Sequence, residues 1–345
     1  MPASRVGVAM VGTGFIAEYH LAGLAACGRA DVRTVVGRNA GRARALAERH
    51  GVPQVDLDLA AALGRADVAA VVIATPDDTH ERIAEAAAAA GKHILLQKPI
   101  AGSVAAAHRI VDTAARHGVD LQVSFMHRFF EEVEAAKRLL DEGVLGRVLG
   151  ARIRNATPGP DWDAWFYQRK HVPHGVADQL AVHGIDLVRG LLGPVAQVSA
   201  LARTALPLRT LRDGRRVEVE VVDNVAATYS LADGTLVTHE VSQTEIGGCD
   251  RFRLEIYGER GTMWLRTERG PLALYVPASH GCDWHTPPLP ARAPGERQHA
   301  AWLAGVAGDG PRLATARDAL HGMRVVEAMM RSNDRSGAQV PVEAV

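Results

Sequence analysis

The run Val6-Gly7-Val8-Ala9-Met10-Val11-Gly12-Thr13-Gly14-Phe15-Ile16-Ala17 sets the architecture of the first third of the chain. Residues 6–11 are a continuous apolar run, and beyond the glycines Leu21, Leu24 and Ala25 recur at helical spacing. The pattern is strand, tight turn, helix. Gly12 and Gly14 let the backbone approach a ligand, and Ala17 lets the helix lie close on the strand. The helix N-terminus, where Phe15 and Ile16 stand, offers free amides and a partial positive charge suited to a pyrophosphate. Alone, such a hexapeptide is a weak signal.

Its neighbours strengthen it. Residues 32–36 read as a second strand, 42–50 as a helix, and 69–74 as a third strand running into Thr75-Pro76. A helix is expected over residues 79–90, with Asp78 and Glu81 at capping-box spacing and Gly91 as its stop, followed by a strand at 93–96 and a helix at 105–117. Such alternation implies a parallel, doubly wound sheet whose ligand lies at the carboxyl ends of its strands. From about residue 121 the alternation stops. A helix at 131–142 precedes strands at 148–155, 195–202, 217–222, 225–231, 236–242, 253–257 and 262–266, with Asp213-Gly214, Asp233-Gly234 and Glu259-Arg260-Gly261 as turns. The expected fold is therefore α/β plus α+β. An N-terminal Rossmann doubly wound parallel sheet spans residues 1–123. A domain with a large, mainly antiparallel, open-faced sheet spans 124–345, its C-terminal helix placed to pack back on the first domain.

With 345 residues the chain is long for one core, and 39 Lys+Arg balance 39 Asp+Glu. A nucleic-acid surface needs an excess of cations to displace phosphate counterions, so none is expected. No stretch approaches the roughly 20 apolar residues of a bilayer span, and no secretory leader is read at the start. Cys27, Cys249 and Cys282 are odd in number and share no metal-like spacing. They are expected to be structural thiols in a reducing cytoplasm, with no disulfide and no metal.

The end of the second strand reads Val36-Gly37-Arg38-Asn39. Gly37 stands where a carboxylate would accept the adenosine ribose hydroxyls, while Asp31 precedes the strand and is at its wrong end. Arg38 and Arg42 can instead hold a 2′-phosphate by charge-assisted hydrogen bonds. The expected cofactor is NADP rather than NAD, against the plainer reading of a solvated basic helix start.

Taken together, Gly12-x-Gly14-x-x-Ala17, Ala74-Thr75-Pro76 with His80, Gly91-Lys92-His93 leading to Lys98-Pro99, and the segment around His183 resemble the glucose-fructose oxidoreductase and inositol dehydrogenase (Gfo/Idh/MocA) family. The resemblance covers nearly the whole chain. It implies a nicotinamide-binding domain, an α+β domain with an open sheet, and oxidation or reduction at a carbon of a sugar, cyclitol or related polyol. It extends the cofactor set of Gly12, Gly14, Phe15, Ile16, Gly37, Arg38 and Arg42 to Thr75, Pro76, His80, Gln97 and Lys98. Two positions depart from the family: Gln97 stands where Glu-Lys-Pro is usual, and Gln179 where an Asp usually precedes the catalytic His by four.

Residues 176–192 carry Leu180, Leu187, Val188 and Leu191 on one recurrent face, so Gln179, His183 and Asp186 share a face of an expected amphipathic helix. Hydride transfer at a carbinol carbon requires a proton to move at its oxygen, and an imidazole suits that task near neutral pH, so His183 is the acid/base candidate. Lys98 would stabilise the alkoxide-like transition state, the following proline restricting it to an extended backbone. Gln179 carries no charge to favour the imidazolium; Asp186 is the candidate that supplies it, and Asp178, turned about a hundred degrees away, the weaker one.

The loop Pro158 to His171 concentrates aromatics in a chain with 5% of them. Trp162, Trp165 and Tyr167, with Arg128 at the domain junction, join Lys98, Gln179 and His183 as candidate substrate contacts. A carbohydrate-like substrate and a homodimer or homotetramer formed through the open sheet face are expected. Two other functions fit the same residues: a dinucleotide-sensing protein without catalysis, to which Gln97 and Gln179 point, and a redox-assisted glycosidase.

Overall fold

The computed structural model describes residues 5–246, 252–266, 270–281, 283–313 and 315–343. Cys249 and Cys282 lie outside the described residues, and Cys27 is a free thiol. The chain divides into two compact units, Met1–Phe129 with Ala291–Leu320, and Phe130–Pro290 with His321–Val345. Among the described residues no helix is long and apolar enough to cross a membrane.

The first unit is built on β1 (Val6–Val11), α1 (Phe15–Ala26), β2 (Ala30–Val36), α2 (Ala40–Arg49), β3 (Gln54–Asp56), α3 (Leu59–Leu63), β4 (Ala70–Ile73), α4 (His80–Ala89), β5 (His93–Gln97), α5 (Val104–Arg116) and β6 (Leu121–Ser124). The strands form one parallel sheet in the order β3-β2-β1-β4-β5-β6. The order in which strands are added reverses between β1 and β4, which places the ligand crevice of such sheets at their carboxyl ends there. Both faces are covered by helices, so β1, β4 and β5 read as continuous apolar runs, and Val8, Met10, Val72 and Leu95 are fully buried in one cluster. Each such side chain contributes about 1.5–3 kcal/mol by leaving water.

Side chains end the helices as their chemistry directs. Asn39 accepts from Arg42 N, Asp58 from Ala60 N and Ala61 N, and Ser103 from Ala106 N. The capping box expected at Asp78 and Glu81 does not form. A 3₁₀ turn, Asp77–Thr79, leads into α4 without a side-chain cap, and Glu81 pairs instead with Arg109. β3, α3 and β6 were not expected; elements of three to five residues are too short to display a period.

The second unit begins with α6 (Glu131–Asp141) and β7 (Val148–Ala156), followed by a 3₁₀ turn (Ala164–Tyr167), a π-helical turn (Ala177–Ala181) and α7 (Val182–Leu191). Then come β8 (Val195–Arg203), β9 (Leu208–Thr210), β10 (Arg216–Glu218), β11 (Asn224–Leu231), β12 (Leu236–Ser242), β13 (Phe252–Gly258), β14 (Thr262–Arg266), β15 (Gly270–Tyr275) and α8 (Pro277–His280); α9 (Glu296–Ala307) belongs to the first unit, and α10 (Thr315–Asn333), from His321 on, and β16 (Val340–Pro341) belong to the second. An eight-stranded sheet runs β15-β14-β13-β7-β12-β11-β8-β16. Only β7 and β12 pair in parallel. Alternation is clean in β11, where Val225, Ala227, Tyr229 and Leu231 are buried and Ala226 and Thr228 exposed. The outer face leaves Leu201 59% and Leu236 58% exposed.

Two sequence expectations change here. The strand expected at 217–222 is shorter: β10 pairs only with β9, in a ribbon outside the main sheet. Val219 and Val221 bury instead with Tyr167 and Leu211 in a satellite cluster, so the apolar alternation there records a small second core. The helix expected over 176–192 is a π-helical turn followed by α7. Asn155 Nδ2 on β7 donates to the Leu180 carbonyl within that turn, at 3.1 Å.

Within the first unit α9 returns to lie on α1, and its Trp302 and Leu303 are fully buried in the cluster around β1 and β4. A Cβ at Gly23 of α1 would stand 2.4 Å from the His299 ring, so glycine is what permits this approach.

Candidate active site

In the first unit the candidate residues gather at the carboxyl ends of β1, β2, β4 and β5. Gly12 has φ +119°, and a Cβ there would meet the Ala74 carbonyl oxygen at 2.3 Å, so this position must be glycine for β1 and β4 to close. Gly14 has open space where its Cβ would be, and it caps α1 with no side-chain hydrogen bond. Phe15, in the first turn, is 81% exposed. Uncapped first-turn amides with an open approach fit a dinucleotide pyrophosphate.

At the end of β2 a Cβ on Gly37 would lie 2.6 Å from Thr13 Cγ2. A side chain at this position would thus crowd the Thr13 methyl group. Asp31, at the other end of β2, pairs with Arg33 at 2.7 Å. Arg38 and Arg42 are exposed, and among the described residues neither guanidinium has an ion pair or a side-chain hydrogen bond. Two unengaged cations beside a position without a carboxylate suit a phosphate on the adenosine ribose.

His80 ties the ends of β4 and β5 together. Its Nε2 is 2.9 Å from the Thr75 carbonyl, and its Nδ1 is 3.0 Å from that of Pro99 and 3.3 Å from that of Ile100. Burial pushes its pKa below the ordinary value against the pull of these carbonyls. Thr79 donates to Thr75 Oγ1 at 2.7 Å, and Thr75-Pro76 is thereby held at the mouth of the crevice. Lys98 follows the buried Gln97, is half-buried, and its bond to Pro99 is cis. Arg128 pairs with Asp318 at 2.8 Å and lies over the Phe125 ring, which gives it partners inside its own unit. Lys92, part of the motif that carried the resemblance, donates to the carbonyls of Arg65 and Val68 at 3.0 and 2.6 Å, a structural role before β4.

In the second unit His183 lies in the first turn of α7, with Gln179 in the π-helical turn before it and Asp186 one turn on, all three buried. Gln179 Nε2 donates to the Phe166 carbonyl at 2.7 Å, and its Oε1 accepts from Gln243 Nε2. The amide thus ties the aromatic loop and the end of β12 to the turn that carries His183. A carboxylate could not donate to Phe166. Asp178 is engaged elsewhere, accepting from His174 N at 2.8 Å and meeting His174 Nδ1 at 3.1 Å. Burial works to lower the His174 pKa, but the Asp178 carboxylate holds it above the ordinary value.

Beneath α7, Tyr229 Oη lies 2.7 Å from His239 Nδ1, and burial brings the His239 pKa down to about 3. Gly184 packs directly on this ring.

The aromatic loop forms its own stack. Trp165 and Phe166 lie face to face with centroids 3.8 Å apart, Trp162 meets Phe166 edge-on at 5.2 Å, and Arg212 stands over Trp162 while pairing with Asp161. Trp162 is 47% exposed and presents an apolar face. Tyr167 is 1% exposed, and its hydroxyl donates to the Pro160 carbonyl at 2.6 Å, so it holds the loop from within.

Thr13, Gln243, His20 and His299 had no place in the sequence reading. Thr13 stood in plain sight inside the glycine turn, whereas the others gain meaning only from partners far away in sequence.

Residues 6–125 match the model of the GFO_IDH_MocA oxidoreductase family, NAD-binding Rossmann fold, and residues 133–264 match the GFO/IDH/MocA C-terminal domain. The chain is 35% identical over 267 residues to inositol 2-dehydrogenase 1 of Saccharopolyspora erythraea, covering 76% of this chain and 73% of the relative. It is 29% identical over 293 residues to levoglucosan dehydrogenase of Pseudarthrobacter phenanthrenivorans, covering 77% and 74%. Among solved structures, a levoglucosan dehydrogenase in complex with NADH and L-sorbose shares the fold, with a TM-score of 0.91 at 24% identity over 98% of this chain and 99% of that one.

Proposed function

The chain belongs to the Gfo/Idh/MocA oxidoreductase family, and we propose that it is an NADP(H)-dependent dehydrogenase, or ketoreductase in the reverse direction, of a sugar, sugar derivative or cyclitol. Relatives named for inositol and levoglucosan support a cyclic polyol as the substrate class.

One observation carries the choice of NADP over NAD. Among the described residues Arg38 and Arg42 are exposed and unengaged at the end of β2, and Gly37 beside them carries no competing carboxylate. The Gly12–Gly14 turn and the α1 N-terminus that follows it hold the pyrophosphate, and Thr75, Pro76 and His80 border the same crevice. Bound NADP supplies the hydride acceptor. His183 takes the proton from the hydroxyl undergoing oxidation, and the Lys98 ammonium stabilises the negative charge developing on that oxygen. Asp186 is the carboxylate placed one turn from His183 to favour its protonated form. Trp162 and Trp165 offer their faces to the C–H side of the ring, a role Tyr167 is too buried to share. The outer sheet face bearing Leu201 and Leu236 is the surface proposed for self-association.

The test is spectrophotometric. Purified protein is given NADP or NAD with a panel of cyclitols and sugars, and NADPH with the matching ketones. Net turnover with at least one polyol and a preference for NADP is expected. NADPH binding without net turnover on any member would refute the dehydrogenase reading.

A further inference from the structure

In the first unit a line of hydrogen bonds joins α9 to the backbone of Lys98. His299 Nδ1 lies 2.7 Å from the Gly295 carbonyl, and His299 Nε2 lies 2.9 Å from His20 Nδ1. His20 Nε2 lies 3.2 Å from Gln97 Nε2, and Gln97 Oε1 accepts from Lys98 N at 2.8 Å. His20 and His299 are fully buried and Gln97 is 8% exposed.

The two ends of this line determine every proton in it. A carbonyl only accepts, so His299 Nδ1 carries a hydrogen, and in a neutral ring its Nε2 is then bare. His20 Nδ1 must therefore donate, which leaves His20 Nε2 as an acceptor and requires a donor at residue 97. From the other end, the Lys98 N–H only donates, so it faces the oxygen of Gln97 and the amide nitrogen is left for His20. The two derivations meet at Gln97 without conflict. Neutral rings suit the site, since burial drives the His20 pKa well down, with His299 adding to it, and brings that of His299 to about 4. Tyr19 packs against both rings and turns its hydroxyl to Gln298 Oε1.

A carboxylate at residue 97 breaks the line. Its oxygen would face the bare His20 Nε2, two acceptors with no proton between them. Repair requires an extra proton, either on His20, which converts a neutral chain into a buried ion pair that is costly to desolvate, or on the carboxyl itself, which then mimics the amide.

We propose that Gln97 is a positioning residue whose amide fixes the backbone of Lys98 through the His20–His299 pair, and that only a side chain with one donor and one acceptor can close this line. The inference rests on the reading of Lys98 as the cation at the reacting oxygen. It explains why this chain carries an amide where its family usually carries a carboxylate.

Imidazole ¹⁵N NMR of the ligand-free, full-length protein tests it without any appeal to activity. Both rings should be neutral near pH 7 and carry their proton on Nδ1; a proton on Nε2 of either ring overturns the proposal. In Gln97→Leu, which offers neither donor nor acceptor, kcat with the best polyol should fall tenfold or more while the KM for NADP stays within about twofold, and Gln97→Glu should hold one proton more than the wild type, on residue 97 or on His20. A Gln97→Leu protein whose kcat does not move, or a Gln97→Glu protein that takes up no extra proton near pH 7, also overturns it. Should either variant not fold, the wild-type tautomers still decide. Wild-type tautomers as assigned, with no wild-type turnover on any polyol, support the line of bonds and sink the dehydrogenase reading alone.

Discussion

Adding one methyl group at Gly184 should cost both stability and turnover. A Cβ there would stand 2.6 Å from Cε1 and Nε2 of His239 and 3.1 Å from Ile153 Cδ1. Ordinary carbon contacts begin near 3.5 Å, so the shortfall is about 1 Å. The ring cannot retreat freely, because His239 and Tyr229 are both fully buried and their polar atoms meet at 2.7 Å. Alanine in place of glycine should favour a helix by about 1 kcal/mol. Overpacking costs about 1–3 kcal/mol, and a lost buried hydrogen bond about 1 more. The balance is a destabilisation of about 1–3 kcal/mol. If α7 lifts instead, it carries His183 with it, and a displacement near 1 Å at a reacting group can lower turnover by about a hundredfold. Urea unfolding of the second unit and kcat with the best polyol are the measurements. The double variant Gly184→Ala with His239→Ala should be less destabilised than the sum of the singles, since the ring that collides is gone. A Gly184→Ala protein as stable as the wild type, with full turnover, would refute the claim that α7 is seated on His239.

Arg38→Ala and Arg42→Ala should each weaken NADP binding by about ten- to a hundredfold, the loss of a charge-assisted hydrogen bond, with NAD binding unchanged; titration by calorimetry checks this, and an unaltered preference removes the 2′-phosphate assignment. Gln179→Glu places an acceptor against the Phe166 carbonyl and should raise the polyol KM by tenfold or more, read from initial rates, as the aromatic loop is released. Acid should destabilise the protein through its buried histidines. His239 and His299 have folded values of about 3 and about 4, below the unfolded 6.5, so the unfolded state binds more protons in between. Their contribution is complete above pH 6.5 and is lost as pH falls towards the folded values, by about 1.4 kcal/mol per pH unit for each ring. Unfolding free energies measured from pH 7.5 to 4.5 should drop accordingly, and His239→Asn should lessen the slope; a slope unchanged in that variant counts against its neutrality.

The repeating periods of the chain made most of the fold legible. Val6–Val11, Ala70–Ile73 and His93–Gln97 announce themselves because strands buried on both faces must be apolar throughout. The glycine turn was equally legible, since Gly12 has a conformation and a neighbour that exclude any side chain. The π-helical turn at Ala177–Ala181 was not, because an inserted residue leaves the surrounding apolar spacing nearly intact. Val219 and Val221 misled for a related reason: alternation reports that one side is buried, and is silent about which core does the burying. Gln97 and Gln179 could be seen to differ from the family pattern, but what they do depends on His20, Phe166 and Gln243. Contacts between residues so distant in sequence leave no local trace.

The return of α9 to the first unit has a consequence for how the protein is made. Trp302 and Leu303 fill a core whose other walls are supplied before Phe129. A ribosome adding about 5–20 residues per second therefore exposes the nascent nucleotide-binding half for roughly ten to thirty seconds before its last wall emerges. Through that interval the apolar surface awaiting Trp302 stays wet, which makes the growing chain a natural client for chaperones that shield such patches. An amino-terminal fragment cut at the apparent boundary would carry the same open wound permanently.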